Sequence, residues 1–227
     1  MNVLLVVAKA PVAGLAKTRL CPPATPRQAA RIAAAALLDT LAAVRDTGAT
    51  VPVLAHTGRF ADAEHRAELA TALAGWHLLR QHGETFADRL AHAHAEIGTA
   101  FPGLPVLQIG MDTPQVRPDT LADALHRLTG TDAVLGPAVD GGWWALGLRD
   151  PAHAAVLRRV PTSTADTGRL TLAALRDRGV RVAALPVLRD VDDWPAALAV
   201  ADRLPGSRFS RAVDAVGVPA PGDGAGR

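Results

Sequence analysis

The chain has 227 residues, of which 49% are hydrophobic and 20% charged, with a formal net charge of +2. A chain of that length buries a sizeable core without covalent staples, and so small a charge excess excludes nucleic-acid binding unless the cations cluster on one face. The single cysteine, Cys21, excludes an intrachain disulfide and a zinc site built on thiolates.

Only Met1 and Asn2 precede the first apolar run, so no signal peptide is expected. No apolar run approaches the roughly 20 residues of a membrane span, so the expectation is a cytoplasmic protein with no membrane span. Short apolar strands are predicted at 3–8, 51–55, 76–80, 105–110, 133–136, 143–148 and 180–187. Helical patterns lie between them, at about 60–74, 84–97, 118–128, 151–158, 165–178 and 193–203, with the clearest at 27–45. There Thr25 reads as an N-cap and Pro26 as the first turn, and Ile32, Leu37, Leu38, Leu41 and Val44 recur at helical spacing. Strands alternating with helices, and strands apolar throughout, predict one α/β domain over 1–204: a mainly parallel sheet with helices on both faces. From Pro205 to Arg227, Gly, Pro, Ala and charge dominate, which predicts a loosely ordered tail.

The first strand opens onto "KAPVAGLAKTRL" (9–20), with three cations and no acid. In an open parallel sheet, ligands bind beyond the carboxyl ends of the strands. Gly14 lets the backbone approach a ligand, and Lys9, Lys17 and Arg19 carry the chemistry that holds phosphate. The spacing is not that of a P-loop, since Ala16 precedes Lys17-Thr18, and one glycine makes no dinucleotide fingerprint. A solvated basic loop without a ligand is the other reading of the same residues.

Three acidic stretches follow. "IGMDTP" (109–114) places Asp112 just past a buried strand, where a carboxylate facing a phosphate loop suits Mg2+ or Mn2+; a turn or N-cap aspartate is the plainer reading. "LRDVDDW" (188–194) places Asp190 and Asp192 two apart, on one side of an extended segment, where they repel unless a cation lies between them. Asp193 reads as the cap of the helix after it, and all three as caps and turns in the alternative. "GPAVDGGWWALGL" (136–148) sets Asp140 before a Gly141-Gly142 turn. Of Trp143 and Trp144, one faces the core and the other the opposite face, where it stacks on a ligand or simply packs in a hairpin. The histidines of "HAHAE" (92–96), with His92 and Glu96 one turn apart, read as surface residues. No G-x-S-x-G motif occurs, which argues against an acyl-enzyme hydrolase.

Read together, "KAPVAGLAKTRL", "QHGETFADRL", "GMDTP", "GPAVDGGWWALGL", "TSTADTGRLTLAAL" and "DVDDWPAAL" resemble the DUF2064 family of glycosyltransferase-A-like proteins, in the family's order and over about residues 2–203. The resemblance implies the GT-A, or nucleotide-diphospho-sugar transferase, fold. It implies nucleotide phosphate binding by Lys9, Gly14, Lys17 and Arg19, and Mg2+ or Mn2+ binding by Asp112. Asp190 and Asp192 would be further metal ligands, as in the related phospholactate guanylyltransferases. Asp140, Gly141, Gly142 and Trp143 would line the acceptor side, with Asp140 the candidate general base by its place beside a flexible turn. The chain departs from the family pattern at Met111 and Thr113, at Trp143-Trp144 in place of Tyr-Tyr, and over 83–89, but keeps Asp112 and Arg89. The expected activity is glycosyl transfer from a nucleotide-diphospho-sugar donor to a small-molecule acceptor. Nucleotidyl transfer from a nucleoside triphosphate, with pyrophosphate release, uses the same loop and metal. A non-catalytic nucleotide-binding protein is the reading of another class.

Overall fold

The computed structural model describes residues 1–48 and 50–216. Seven strands form one sheet: β1 (Asn2–Lys9), β2 (Thr50–Thr57), β3 (His77–Arg80), β4 (Val106–Gly110), β5 (Ala133–Pro137), β6 (Trp143–Leu148) and β7 (Val182–Ala184), in the order β3-β2-β1-β4-β6-β5-β7. β1 pairs in parallel with β2 and β4, and β2 with β3. Only β6 runs against its neighbours β4 and β5, while β7 is parallel to β5. All seven predicted strands are present, in the α/β arrangement expected, although the last is short because Pro186 cannot extend the ladder.

The helices are α1 (Pro26–Thr47), α2 (Arg66–Ala72), α3 (Phe86–Ala100), α4 (Pro118–Gly130), α5 (Thr167–Arg176), α6 (Trp194–Ala201) and α7 (Arg208–Asp214). The alternation along β1 sends Leu4 and Val6 to one face, against α1 and α4. It sends Val3, Leu5 and Val7 to the other, against α3, α5 and the 3-10 segment Pro151–Arg159. Both faces of the sheet are therefore covered, which is why the strands read as continuous apolar runs. No helix among the described residues is long and apolar enough to cross a membrane.

α1 begins as its sequence dictates. Thr25 accepts from the Gln28 backbone N–H while the Gln28 side chain accepts from the Thr25 N–H, a reciprocal capping box. Its alanines are buried on two sides. One side packs on the sheet; the other packs with Leu20, Val191, Val200, Phe209 and Val213 in a third cluster. Small side chains let α1 lie close to both.

The segment from 205 departs from the loosely ordered tail of the sequence expectation. Ser207 caps α7 by accepting from the Ser210 N–H, and Phe209 is fully buried against α1. Phe209 and Val213, four apart, supply the apolar stripe. The rest of that expectation, 217–227, lies outside the described residues. Two helical patterns also take a different form. The 60–74 pattern is broken by His65 at φ 55°, leaving a 3-10 turn at Phe60–Asp62 before α2. The 151–158 pattern is a 3-10 segment.

Candidate functional site

The carboxyl ends of β1, β2, β3 and β4 open on one side of the sheet, into a cleft of two adjoining lobes of about 380 and 400 Å3. Val7, Arg19, Phe86, Asp112 and Asp192 line both.

The basic loop forms one wall of the first lobe. Buried Ala16 and Leu20 anchor it on either side of Lys17. Lys17 itself adopts a left-handed backbone, φ 48° and ψ 42°, a conformation that costs a non-glycine residue about 1–3 kcal/mol. That backbone turns the side chain inward, to 13% exposure, rather than out to solvent. Its ammonium lies 2.8 Å from Asp112 Oδ1 and donates to Asp192 Oδ1 at 3.0 Å. Burial pulls the Lys17 pKa down, but the charges and hydrogen bonds of Asp112 and Asp192 outweigh it and the net shift is upward. Arg19 is 77% exposed and reaches Asp192 only at 3.9 Å. Lys9 is exposed and lines the first lobe. Gly14, at φ 74°, shapes the loop but does not line either lobe.

The acids come from three separate places. Asp112 follows β4, and its carbonyl accepts from the Val191 N–H at 2.9 Å. That bond, with Val191 buried in the third cluster, ties the 190–192 segment to the end of β4. Asp190 and Asp192, either side of Val191, both reach the second lobe. Burial, then the charges of Asp112, Asp140 and Asp192, push the Asp190 carboxyl up to about 7, with Lys17 opposing. Asp190 Oδ1 is buried and has no hydrogen-bond partner among the described residues. Asp193 is the cap of α6, accepting from the Ala196 N–H at 2.9 Å, as its position predicted.

Asp140 lies in the tight loop between β5 and β6. It is exposed, and its Oδ1 accepts from the Gly142 N–H at 2.8 Å. Gly141, at φ 88°, lines neither lobe; its role is close approach, because a Cβ there would meet the Ala165 carbonyl oxygen at 2.0 Å. The contact, with Gly168 N–H donating to Gly141 O at 2.8 Å, brings 161–168 against the hairpin. Gly142 and Trp143 do line the second lobe. Trp144 is the core member of the pair, its Nε1 donating to Pro186 O at 2.9 Å. Trp143 is half-buried on the opposite face and donates to Thr171 Oγ1 at 3.2 Å.

Several lining residues had no role in the sequence reading. Gln81, after β3, Phe86 and Arg89, at the start of α3, line the first lobe. Arg89 Nε is buried without a hydrogen-bond partner among the described residues, and its guanidinium is 5.6 Å from the Phe86 ring centre. The signal for Phe86 and Arg89 was the Thr85 cap, which fixes where α3 begins and so which residues reach its mouth. The second lobe adds Gln108, Thr113 and the hydroxyls of Thr162, Ser163 and Thr164. The expectation of surface histidines fails at His94. It is fully buried, bonded to Gln108 Oε1 at 2.9 Å, and burial drives its pKa down to about 4.

The carboxylate oxygens of Asp112, Asp190 and Asp192 are hard donors, of the type Mg2+ and Mn2+ take, and the unpartnered Asp190 Oδ1 fits such a role. Among the described residues, no three His, Cys, Asp or Glu side chains form a ready-made metal-binding group; at Asp112 and Asp192 the Lys17 ammonium is the cation already present.

The sheet order and the cleft define an α/β protein of the nucleotide-diphospho-sugar transferase type of fold. A candidate nucleotide-diphospho-sugar transferase from Desulfovibrio desulfuricans G20 superposes with a TM-score of 0.83 at 23% identity, over 95% of this chain and 97% of that one. Rv0371c from Mycobacterium tuberculosis H37Rv gives 0.56 at 23% identity over 88% and 97%, and its manganese complex 0.53 at 20% over 88% and 98%. A nucleotidyl transferase from Methanothermobacter thermautotroptrophicus gives 0.54 at 18% identity, over 92% and 98%. At these identities the likeness is one of fold. No curated protein sequence matches. Residues 40–164 match the family described as "Uncharacterized protein conserved in bacteria (DUF2064)", and the chain belongs to that family.

Proposed function

We propose that the protein is a transferase that takes a nucleotide-activated donor, and that it moves a glycosyl group from a nucleotide-diphospho-sugar to a small acceptor. The observation that carries the reading is the opposition of Lys17 to Asp112 and Asp192, held at the carboxyl edge of the sheet inside a two-lobed cleft. The first lobe is of the size pockets for small molecules take and carries Lys9, Lys17, Arg19 and Arg89. These cations hold the donor's phosphates and stabilise the charge that gathers on the leaving diphosphate. The second lobe, with Trp143, Gly142, Asp140 and a row of hydroxyls, takes the acceptor. Asp140 is the candidate proton acceptor, exposed at the tip of the hairpin. Asp112, Asp190 and Asp192 would hold Mg2+ or Mn2+, which supplies charge neutralisation at the phosphate oxygens when bound.

The likeness to a nucleotidyl transferase supports a second reading of the same cleft. There the bond between the α- and β-phosphates breaks, the nucleoside monophosphate passes to the acceptor, and pyrophosphate leaves. In glycosyl transfer the bond from the sugar's anomeric carbon to the β-phosphate oxygen breaks, and the nucleoside diphosphate leaves. Incubation with Mn2+, a panel of nucleotide-sugars or nucleoside triphosphates, and a set of small acceptors separates them. Nucleoside diphosphate release supports glycosyl transfer, pyrophosphate release supports nucleotidyl transfer, and binding without either product supports a protein that only holds nucleotides.

A further inference from the structure

The two lobes differ in charge. Lys9, Lys17, Arg19 and Arg89 line the first, against Asp112 and Asp192. Among the described residues the second keeps only Arg19 of those cations, and Arg19 is 77% exposed with its guanidinium 3.9 Å from Asp192. Four carboxylates line that lobe: Asp112, Asp140, Asp190 and Asp192. The rest of its polar surface is uncharged. Gln108 and Thr113 line it and are almost wholly buried. His94 bonds to Gln108 Oε1 at 2.9 Å, which leaves the N–H groups as the remaining polar function of that amide. Thr113 Oγ1 is buried with no hydrogen-bond partner among the described residues. Thr162 and Ser163 add hydroxyls to the wall, and the Trp143 indole, fixed by its bond to Thr171, adds flat apolar surface.

We infer that the acceptor is an uncharged polyhydroxyl compound, a sugar or polyol that carries no phosphate or carboxylate group. The inference rests on the transferase reading above and deepens it by naming the acceptor's class; it holds for glycosyl and for nucleotidyl transfer. A hydroxyl both donates and accepts, so it is matched by a carboxylate, a threonine or serine hydroxyl and an amide alike. The indole face of Trp143 suits the carbon skeleton. A phosphorylated acceptor needs a cation of its own, of the kind that the first lobe concentrates. In the second lobe it meets carboxylates and an uncharged wall. Mn2+ held by Asp112, Asp190 and Asp192 would leave Asp140 and that wall as they are. The lobe therefore selects by repelling anions as well as by bonding hydroxyls.

Two measurements test this. The first reads the charge of the lobe through Trp143, as the part of the tryptophan fluorescence that Trp143→Phe loses, in metal-free protein at constant ionic strength. Caesium and iodide serve as quenchers, each scaled to its quenching of free N-acetyltryptophanamide. Caesium is expected to quench that part about threefold or more better than iodide; quenching by iodide as well or better, or by neither ion, overturns the acidic lobe. The second supplies Mn2+, nucleotide-sugars or nucleoside triphosphates, and paired acceptors: glucose, mannose and glycerol beside glucose 6-phosphate, mannose 6-phosphate and glycerol 3-phosphate. Nucleoside diphosphate or pyrophosphate released above the acceptor-free background is followed. At least one uncharged acceptor is expected to react about tenfold or more faster than its phosphorylated counterpart. Ser163 is exposed, so Ser163→Arg keeps the fold while adding a cation to the wall, and it is expected to bring the pair within about threefold. A phosphorylated acceptor that reacts as fast as its counterpart, or a ratio unmoved in Ser163→Arg, overturns the inference. Nucleotide binding with no transfer to any of the six overturns the polyol acceptor and leaves the donor site standing. Failure to bind any nucleotide or nucleotide-sugar overturns the transferase reading itself.

Discussion

Lys17, on the loop after β1, holds its ammonium 2.8 Å from Asp112 Oδ1, at the end of β4, with Asp192 at 3.0 Å on its other side. A basic loop and an acidic strand end that are 95 residues apart in the chain thus form one ion cluster. Lys17 is therefore a structural member of the site, beside the phosphate-binding role proposed for it.

That pairing separates two variants that look alike in sequence. Lys17→Ala leaves Asp112, Asp190 and Asp192 facing one another without their cation. The carboxylates left behind are 39% and 46% exposed, so solvent screens part of their repulsion and the melting temperature falls by less than the loss of a fully buried partner would cause. Arg19→Ala removes a side chain that is 77% exposed and leaves the melting temperature within error. Both variants weaken nucleotide binding. Thermal unfolding and nucleotide titration of the two proteins check the contrast.

Asp190→Asn is expected to stabilise the protein without metal. The folded carboxyl has its pKa raised to about 7, above the unfolded value of 3.8. Between those values the folded state binds more protons than the unfolded, so stability falls as pH rises. The variant lacks that loss, and its advantage over the wild type grows from pH 4 to pH 7 and then levels. Chemical denaturation across that range measures it. A second effect follows from the site: Mn2+ stabilises the wild type more than the variant.

His94 sets an opposite pH term. Burial lowers its pKa from 6.5 to about 4, so the unfolded state binds the extra proton between those values. Stability is present above pH 6.5 and is lost as pH falls toward 4, by on the order of 3 kcal/mol. His94→Gln removes that slope, and comparing the two denaturation profiles isolates it. At neutral pH His94 is uncharged and holds Gln108, which lines the second lobe.

Phe209→Ala is expected to cost about 3–5 kcal/mol, because α7 packs its fully buried ring on α1 and α6. Equilibrium unfolding in denaturant checks it. A value near zero would return the segment from 205 to the loosely ordered tail that its composition suggested.

The sheet was legible because its strands are short, apolar and separated by helical periodicity; all seven stand where the pattern placed them. α7 was not, because two apolar residues between Pro205-Gly206 and a Gly- and Pro-rich end make a weak pattern. The convergence of Asp112, Asp190 and Asp192 was readable in outline from strand ends and the two-residue spacing. Its neutralisation by Lys17 was not, since nothing in the sequence marks a lysine that will adopt a left-handed backbone and turn inward. Gln81 was missed for a similar reason: a polar residue just after a strand carries no sign of the wall it will form.

The most direct test of the account is Mn2+-dependent nucleotide binding by Asp112→Asn, followed by calorimetry beside its melting temperature. The substitution keeps the shape of the side chain and leaves Lys17 paired with Asp192. The account predicts a melting temperature near that of the wild type and loss of the metal-dependent part of nucleotide binding. Binding that keeps its full metal dependence in Asp112→Asn would contradict it and leave Asp112 as the lysine's structural partner alone.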